Sequence, residues 1–139
     1  MMKVYRLEFL QPDGRWTGPY CAEWMTPKAF ELREKMLQDH NINRPYPISE
    51  TFARNPCIDR YVCASPSRHS LSEWFGEYLF LYIEEGGYIG IYTIPEEAIA
   101  EKDEQQIVYQ QKQATCISRK GNPIDPGLLI CKIHPSKKS

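Results

Sequence analysis

The chain has 139 residues, a formal net charge of −1, 42% hydrophobic residues and 25% charged ones. That length suits one domain over residues 1–139 with a single core, and the apolar fraction excludes a disordered chain. Met1 to Leu10 carries Lys3, Arg6 and Glu8, which excludes a signal-peptide hydrophobic region, and the longest apolar stretch, Tyr78 to Ile83, is too short to span a bilayer. A cytoplasmic protein with no membrane partner is expected. The five cysteines, Cys21, Cys57, Cys63, Cys116 and Cys131, contain no C-x-x-C pair, as expected of buried free thiols in a reducing compartment.

Taken in chain order, Val4 to Leu10 alternates, with Tyr5, Leu7 and Phe9 on one face and Val4, Arg6, Glu8 and Leu10 on the other. This is strand periodicity. Pro12-Asp13-Gly14 supplies a turn, and Gly18-Pro19-Tyr20 leads irregularly to a first helix. Thr26 can cap that helix, Pro27 fits its first position, and Ala29, Leu32 or Arg33, and Met36 share a face. The helix should end near His40-Asn41. The following stretch, with Pro45, Pro47 and Pro56, reads as a long surface loop, and Arg60 to Ala64 as a short strand.

Ser70 and Glu73 form an S-x-x-E capping box, and Leu71, Trp74, Phe75, Tyr78, Leu79 and Tyr82 follow at helical spacing until Gly86-Gly87 stops the run. One continuous helix is predicted there. Tyr88 to Ile94 reads as a strand, and Pro95-Glu96-Glu97 as the start of a short helix. Further strands are predicted at about 106–109, 115–119 and 128–133, followed by a frayed tail at 136–139. The order implies an α+β fold, a mainly antiparallel sheet with two principal helices packed on it.

Several candidate sites follow from residue chemistry. Zinc needs close pairs of Cys or His, and His40, His69 and His134 stand far apart, so no metal is expected. The glycines of 85–90 follow a helix and precede a strand, the reverse of a phosphate-binding loop. Arg6 could hold a phosphate or carboxylate through its guanidinium, or instead pair with Glu8 on a solvated face. Backbone N–H groups at the helix start beside Arg68 could hold an anion. Trp16, Tyr20 and Trp24 mark either a stacking surface or a satellite core. A nucleotide-type ligand would then meet Tyr5, Arg6, Tyr20, Arg60 and Arg68, phosphate on the arginines and base on an aromatic ring. Charge is also uneven. Nine acidic residues stand against Lys102 alone between Glu73 and Glu104, and Glu84, Glu85, Glu96, Glu97 and Glu101 offer an acidic surface for a partner.

Val4 to Glu8, Gly18-Pro19-Tyr20, Tyr61 to Ser65, Leu71 to Phe75, Gly87 to Pro95 and Gln106 to Tyr109 together resemble small phage and prophage proteins of uncharacterised function. The order of elements is distantly similar to the ADP-ribosyltransferase-like fold. The first resemblance implies an accessory protein that binds and inhibits a host or defence component. The second implies an NAD-using enzyme, with Arg6, Ser65 and Glu104 in the catalytic positions. No cofactor is expected unless that second reading holds, when it is NAD. An exposed aromatic patch would also allow homodimerisation.

Overall fold

A computed structural model of the chain describes residues 1–42, 61–104 and 106–131. Its strands and helices are β1 (Met2–Leu10), β2 (Trp16–Thr17), β3 (Trp24–Met25), α1 (Pro27–Ile42), β4 (Tyr61–Ala64), α2 (Arg68–Phe75), α3 (Tyr78–Glu84), β5 (Gly87–Ile94), β6 (Ile99–Lys102), β7 (Ile107–Gln110), β8 (Thr115–Gly121) and β9 (Ile130–Cys131). The main sheet has the order β2-β1-β5-β8, a second has the order β4-β7-β6, and β3 pairs with β9. Every strand pair among the described residues is antiparallel. The expected α+β class is the class found.

β1 is the axis of the molecule. It pairs with β5 from Met2 opposite Ile94 to Phe9 opposite Gly87. Its alternation sends Leu7 and Phe9 to one face, where they pack with Phe30 and Met36 of α1, Leu71, Trp74 and Phe75 of α2, and Leu79 and Tyr82 of α3. Val4 lies on the other face in a smaller apolar cluster with Ala64, Ile94, Ile107 and Tyr109, between the two larger sheets. Arg6 and Glu8 share that second face, as period-two geometry requires.

α1 begins as its sequence implies. The Thr26 hydroxyl accepts from the Ala29 N–H at 3.2 Å and donates to Glu85 at 2.6 Å, so one side chain caps α1 and fastens it to the end of α3. The predicted second helix starts and runs differently. Ser67, not Ser70, is its cap, accepting from the Ser70 N–H at 3.0 Å. The helix also breaks at Gly76, which sits at φ 56°, ψ −133° while its N–H bonds to the Ser72 carbonyl. Helical spacing persists across this break, so Leu71, Trp74, Phe75, Leu79 and Tyr82 stay buried while Phe80 faces solvent. Glycine within a helical pattern is tolerated, which is why the period alone did not reveal the interruption.

Other boundaries move too. Pro95-Glu96-Glu97 opens a single 3-10 turn, Glu96–Ala98, followed directly by the unpredicted β6. The last predicted strand contracts to β9 behind a 3-10 turn at Pro126–Leu128. The long loop after α1, Arg60 and the C-terminal tail lie outside the described residues. Cys63, Cys116 and Cys131 are free thiols, but Cys21 is disulfide-bonded, which corrects the expectation of free thiols throughout. No helix among the described residues is long and apolar enough to cross a membrane.

The break at Gly76 has a direct test. A side chain at that backbone conformation is strained by about 1–3 kcal/mol, so Gly76→Ala should lower the urea midpoint by a corresponding amount at an unchanged m value.

Candidate functional site

The site begins with a defect in the pairing of β1. One edge of the strand is covered by β5. On the other edge, Tyr5 exchanges both backbone hydrogen bonds with Ser65 at 2.8 Å, where β4 ends, and Phe9 pairs with Thr17 of β2. Between these two anchors residues 6–8 have no strand partner on this edge among the described residues. Because backbone groups alternate in direction along an antiparallel strand, the Leu7 N–H and C=O point into this gap.

Side chains from both sides of the gap enclose a cavity of about 320 Å³. Arg6 and Leu7 lie between the two anchors, Thr17 and Ser65 flank them, and Trp16, Tyr20, Tyr61, Trp74 and Phe75 supply aromatic lining. The segment Gly18 to Trp24 is held firmly. Gln11 accepts from the N–H groups of Glu23 and Trp24 at 3.1 and 2.9 Å and donates to the Trp24 carbonyl at 3.0 Å. Arg33 of α1 donates to the carbonyls of Pro19 and Ala22 at 3.3 and 2.8 Å. The Trp74 indole N–H bonds to the Tyr20 hydroxyl at 3.0 Å. A rigid, partly apolar concavity with a few polar groups is the usual form of a small-molecule site.

Beneath Arg6 is a buried charge cluster. Glu8 is fully buried, and its carboxylate accepts from Arg119 Nε at 2.7 Å, from the Tyr92 hydroxyl at 2.8 Å and from Arg6 Nη1 at 3.2 Å. Arg119 also donates to the Tyr92 oxygen at 2.7 Å and lies over the Trp16 ring, 4.2 Å from its centroid. Burial, then the adjacent Glu8 charge, push the Tyr92 phenol well above its usual value, keeping it a donor. Gly90 leaves room for this arrangement, since a Cβ there would stand 2.2 Å from Glu8 Oε1. Arg6 spends Nη1 on Glu8 and, at 3.5 Å, on the Trp16 carbonyl. Its Nε and Nη2 donate no hydrogen bond among the described residues, and Nη2 lies beside Gly18 at the cavity wall.

Two residues of the lining carry hydroxyls that are themselves closed off from it. Ser65 is 1% exposed, and its Oγ, like Thr17 Oγ1, is buried with no hydrogen-bond partner among the described residues. Cys63 also lines the cavity, and burial pushes its thiol up to about 11 against an opposing pull from Arg6.

The structure therefore brings some of the sequence-predicted residues together and separates others. Arg6, Ser65 and Tyr20 line one cavity. Arg6 does pair with Glu8, but the pair is buried and not on a solvated face. Glu104 is exposed and outside the lining, offering only its backbone carbonyl to Ser70 at 3.4 Å, while Gln106 is buried in the lining two residues later. Tyr5 and Arg68 meet each other in a cation–π contact of 5.9 Å but do not line the cavity. Arg60 lies outside the described residues. Of the acidic set, Glu84 and Glu85 sit at one end of β5 and Glu96, Glu97 and Glu101 beyond the other. The eight residues of β5 separate them, about 26 Å of extended chain, and Glu85 is occupied by Thr26. Sequence reasoning missed Thr17, Gln106 and Arg119 as site residues. Among the described residues, no three His, Cys, Asp or Glu side chains are placed to hold a metal ion.

A family model described as Bacteriophage T4 Y00F protein matches residues 2–121. No curated protein and no solved structure matches the chain.

The position of half-buried Cys63 in the cavity predicts its reactivity. With its pKa raised to about 11, the thiolate fraction at pH 8 is on the order of one in a thousand. Mass-spectrometric labelling at pH 8 should modify exposed Cys116 well before Cys63, and Cys63 labelling should accelerate about tenfold per pH unit while the fold persists.

Proposed function

Starting from a chain that belongs to the bacteriophage T4 Y00F protein family, we propose that this phage accessory protein acts by binding, and that the cavity beside β1 sequesters a small anionic aromatic ligand of nucleotide type. The observation that carries this reading is Arg6, whose unspent guanidinium edge lies in a cavity with aromatic lining. Guanidinium donors suit phosphate, and aromatic faces suit a base. The walls are held by hydrogen bonds from Gln11, Arg33 and Trp74, so little ordering need accompany binding. Removing a host or defence signal from solution would give such a protein an inhibitory role without catalysis.

A second reading rests on the exposed Glu96 and Glu97 beside Glu101, which offer an acidic patch for docking on a basic host or defence protein. The separation of Glu84 and Glu85 from these three restricts that patch to one end of β5. The transferase reading draws less support, because Glu104 lies outside the cavity that Arg6 and Ser65 share.

Thermal denaturation against a panel of nucleotides tests the first reading. A ligand at a hundred times its Kd adds about 2.7 kcal/mol to stability, so at least one nucleotide should raise Tm by several degrees. Arg6→Gln should weaken that ligand's binding by roughly tenfold to a hundredfold, the worth of a charge-assisted hydrogen bond. No shift from any nucleotide would sink the reading. For the second, Glu96→Gln with Glu97→Gln should reduce recovery of any host partner in a pull-down at low salt, and added salt should reduce wild-type recovery in the same way. Recovery insensitive to both changes would exclude acidic docking.

A further inference from the structure

We infer that the cavity beside β1 is also an acceptor for an extended peptide, a segment of a partner protein that pairs with the parted edges of β1 and β4 and carries an apolar side chain next to an acidic one. The inference goes beyond the nucleotide reading and does not depend on it, since it uses the backbone edges of the cavity and not Arg6 alone.

The first support is strand register. Ser65 exchanges both backbone hydrogen bonds with Tyr5, so the next such rung would join Cys63 to Leu7. That rung is not formed among the described residues. On its other edge β4 pairs with β7, Ala64 opposite Ile107 and Val62 opposite Tyr109, and β1 pairs on its other edge with β5. The N–H and C=O groups of Cys63 and Leu7 therefore point towards each other across a cavity that both residues line. Gly18 borders the Leu7 carbonyl oxygen, which a Cβ there would approach to 3.8 Å, and glycine brings no side chain into the opening. Edges of this kind take an added strand, with main-chain hydrogen bonds supplying affinity and alternate side chains supplying specificity.

The second support is the chemistry of the two faces. Side chains directly opposite in a ladder share a face. A peptide residue opposite Leu7 would project to the side where Leu71, Trp74 and Phe75 pack with Leu7, and these three line the cavity. Its neighbours in the peptide would project to the opposite face, the face of Arg6. Arg6 is 8% exposed and keeps Nε and Nη2 unspent among the described residues. The other charged side chains of the lining, Arg15 and Glu23, are exposed, and Arg15 is paired with Asp13. One buried guanidinium in a cavity that also holds an exposed carboxylate suits one acidic side chain and not a run of them.

The third support is length. The four residues of β4 span about 13 Å, and the bridge between Tyr5 and Ser65 closes one end of the opening. β2 rejoins β1 at Phe9, which limits the open stretch of β1 to the residues around Leu7. Such a slot takes a few residues of an extended segment. The occupant that fits all three observations is a short strand of a partner protein, apolar towards Trp74 and Phe75 and acidic towards Arg6.

The probe is an array of capped pentapeptides with threonine at both ends and the three central positions varied over all residue types, incubated with the labelled full chain. Retained peptides should carry a large apolar residue at the centre and an acidic residue beside it. N-methylation of the three central residues of a retained peptide, which keeps every side chain, should abolish binding. Changing its acidic residue to the amide should weaken binding about tenfold, the worth of a charge-assisted hydrogen bond, and that difference should vanish in Arg6→Gln. With the peptide bound to the unaltered chain, the Leu7 and Cys63 amides should exchange with solvent at least tenfold more slowly. Retention of no peptide, binding that survives N-methylation, an acidic preference unchanged in Arg6→Gln, or amide exchange unchanged at Leu7 and Cys63 overturns the inference. A Tm shift with a nucleotide alongside any of those results leaves the nucleotide reading standing, whereas peptide binding of the expected kind with no nucleotide shift removes that reading and keeps this one.

Discussion

A carboxylate removed from water must have its charge answered by its neighbours, and at Glu8 three groups from three places in the chain do so. Arg6 comes from the same strand, Tyr92 from β5 and Arg119 from β8. The stacking of Arg119 on Trp16 and the contact of Arg6 with the Trp16 carbonyl add β2. All four strands of the main sheet thus meet at one buried cluster. Such a cluster is strongly dependent on completeness, because removing one member leaves another buried charge unanswered. It also demands space, which Gly90 provides by presenting no side chain where Glu8 lies.

The cavity is a consequence of how the two larger sheets join. If β4 had continued alongside β1, the ladder would have closed over residues 6–8 and left no concavity. Instead β4 meets β1 only at Tyr5 and Ser65, and β2 rejoins it only at Phe9 and Leu10. Backbone and side-chain groups between these contacts face a cavity and not a neighbouring strand. The aromatic side chains around it serve the fold as well, since Trp74 and Phe75 belong to the core beneath α1 and α3. Their burial fixes the wall that a ligand would meet, which joins the stability of the helical layer to the shape of the site.

Family membership and site geometry answer different questions. The match over residues 2–121 identifies a phage protein, and a fold or family by itself carries no chemistry. The chemistry lies in the site, where Arg6 lines an aromatic cavity that does not include Glu104. The acidic residues show why a run of like charge along a chain is a poor guide to a surface. Glu84 and Glu85 are divided from Glu96, Glu97 and Glu101 by a whole strand, and Glu85 is engaged by the Thr26 hydroxyl that caps α1.

What could be read along the chain was whatever depends on neighbours a few residues apart. The alternation of β1, the Thr26-Pro27 start of α1, and the Leu71 to Tyr82 stripe follow from backbone periodicity and capping, and Arg6, Ser65 and Tyr20 were identifiable by residue type. The break at Gly76 was hidden because the side-chain spacing continues through it. Thr17 and Gln106 carried no signal of their own, and Arg119 is 111 residues from the carboxylate it answers. The sequence by itself determined the strand character of β1 and β5, the start of α1 and the buried stripe of α2 and α3, but not β2, β3, β6 or the break at Gly76. Only the tertiary structure decided that Arg6 is buried, that Ser65 joins it and Glu104 does not, and that a cavity lies between. Local periodicity is written in consecutive residues, whereas strand register brings distant charges and hydroxyls together and has no counterpart in any short stretch of chain.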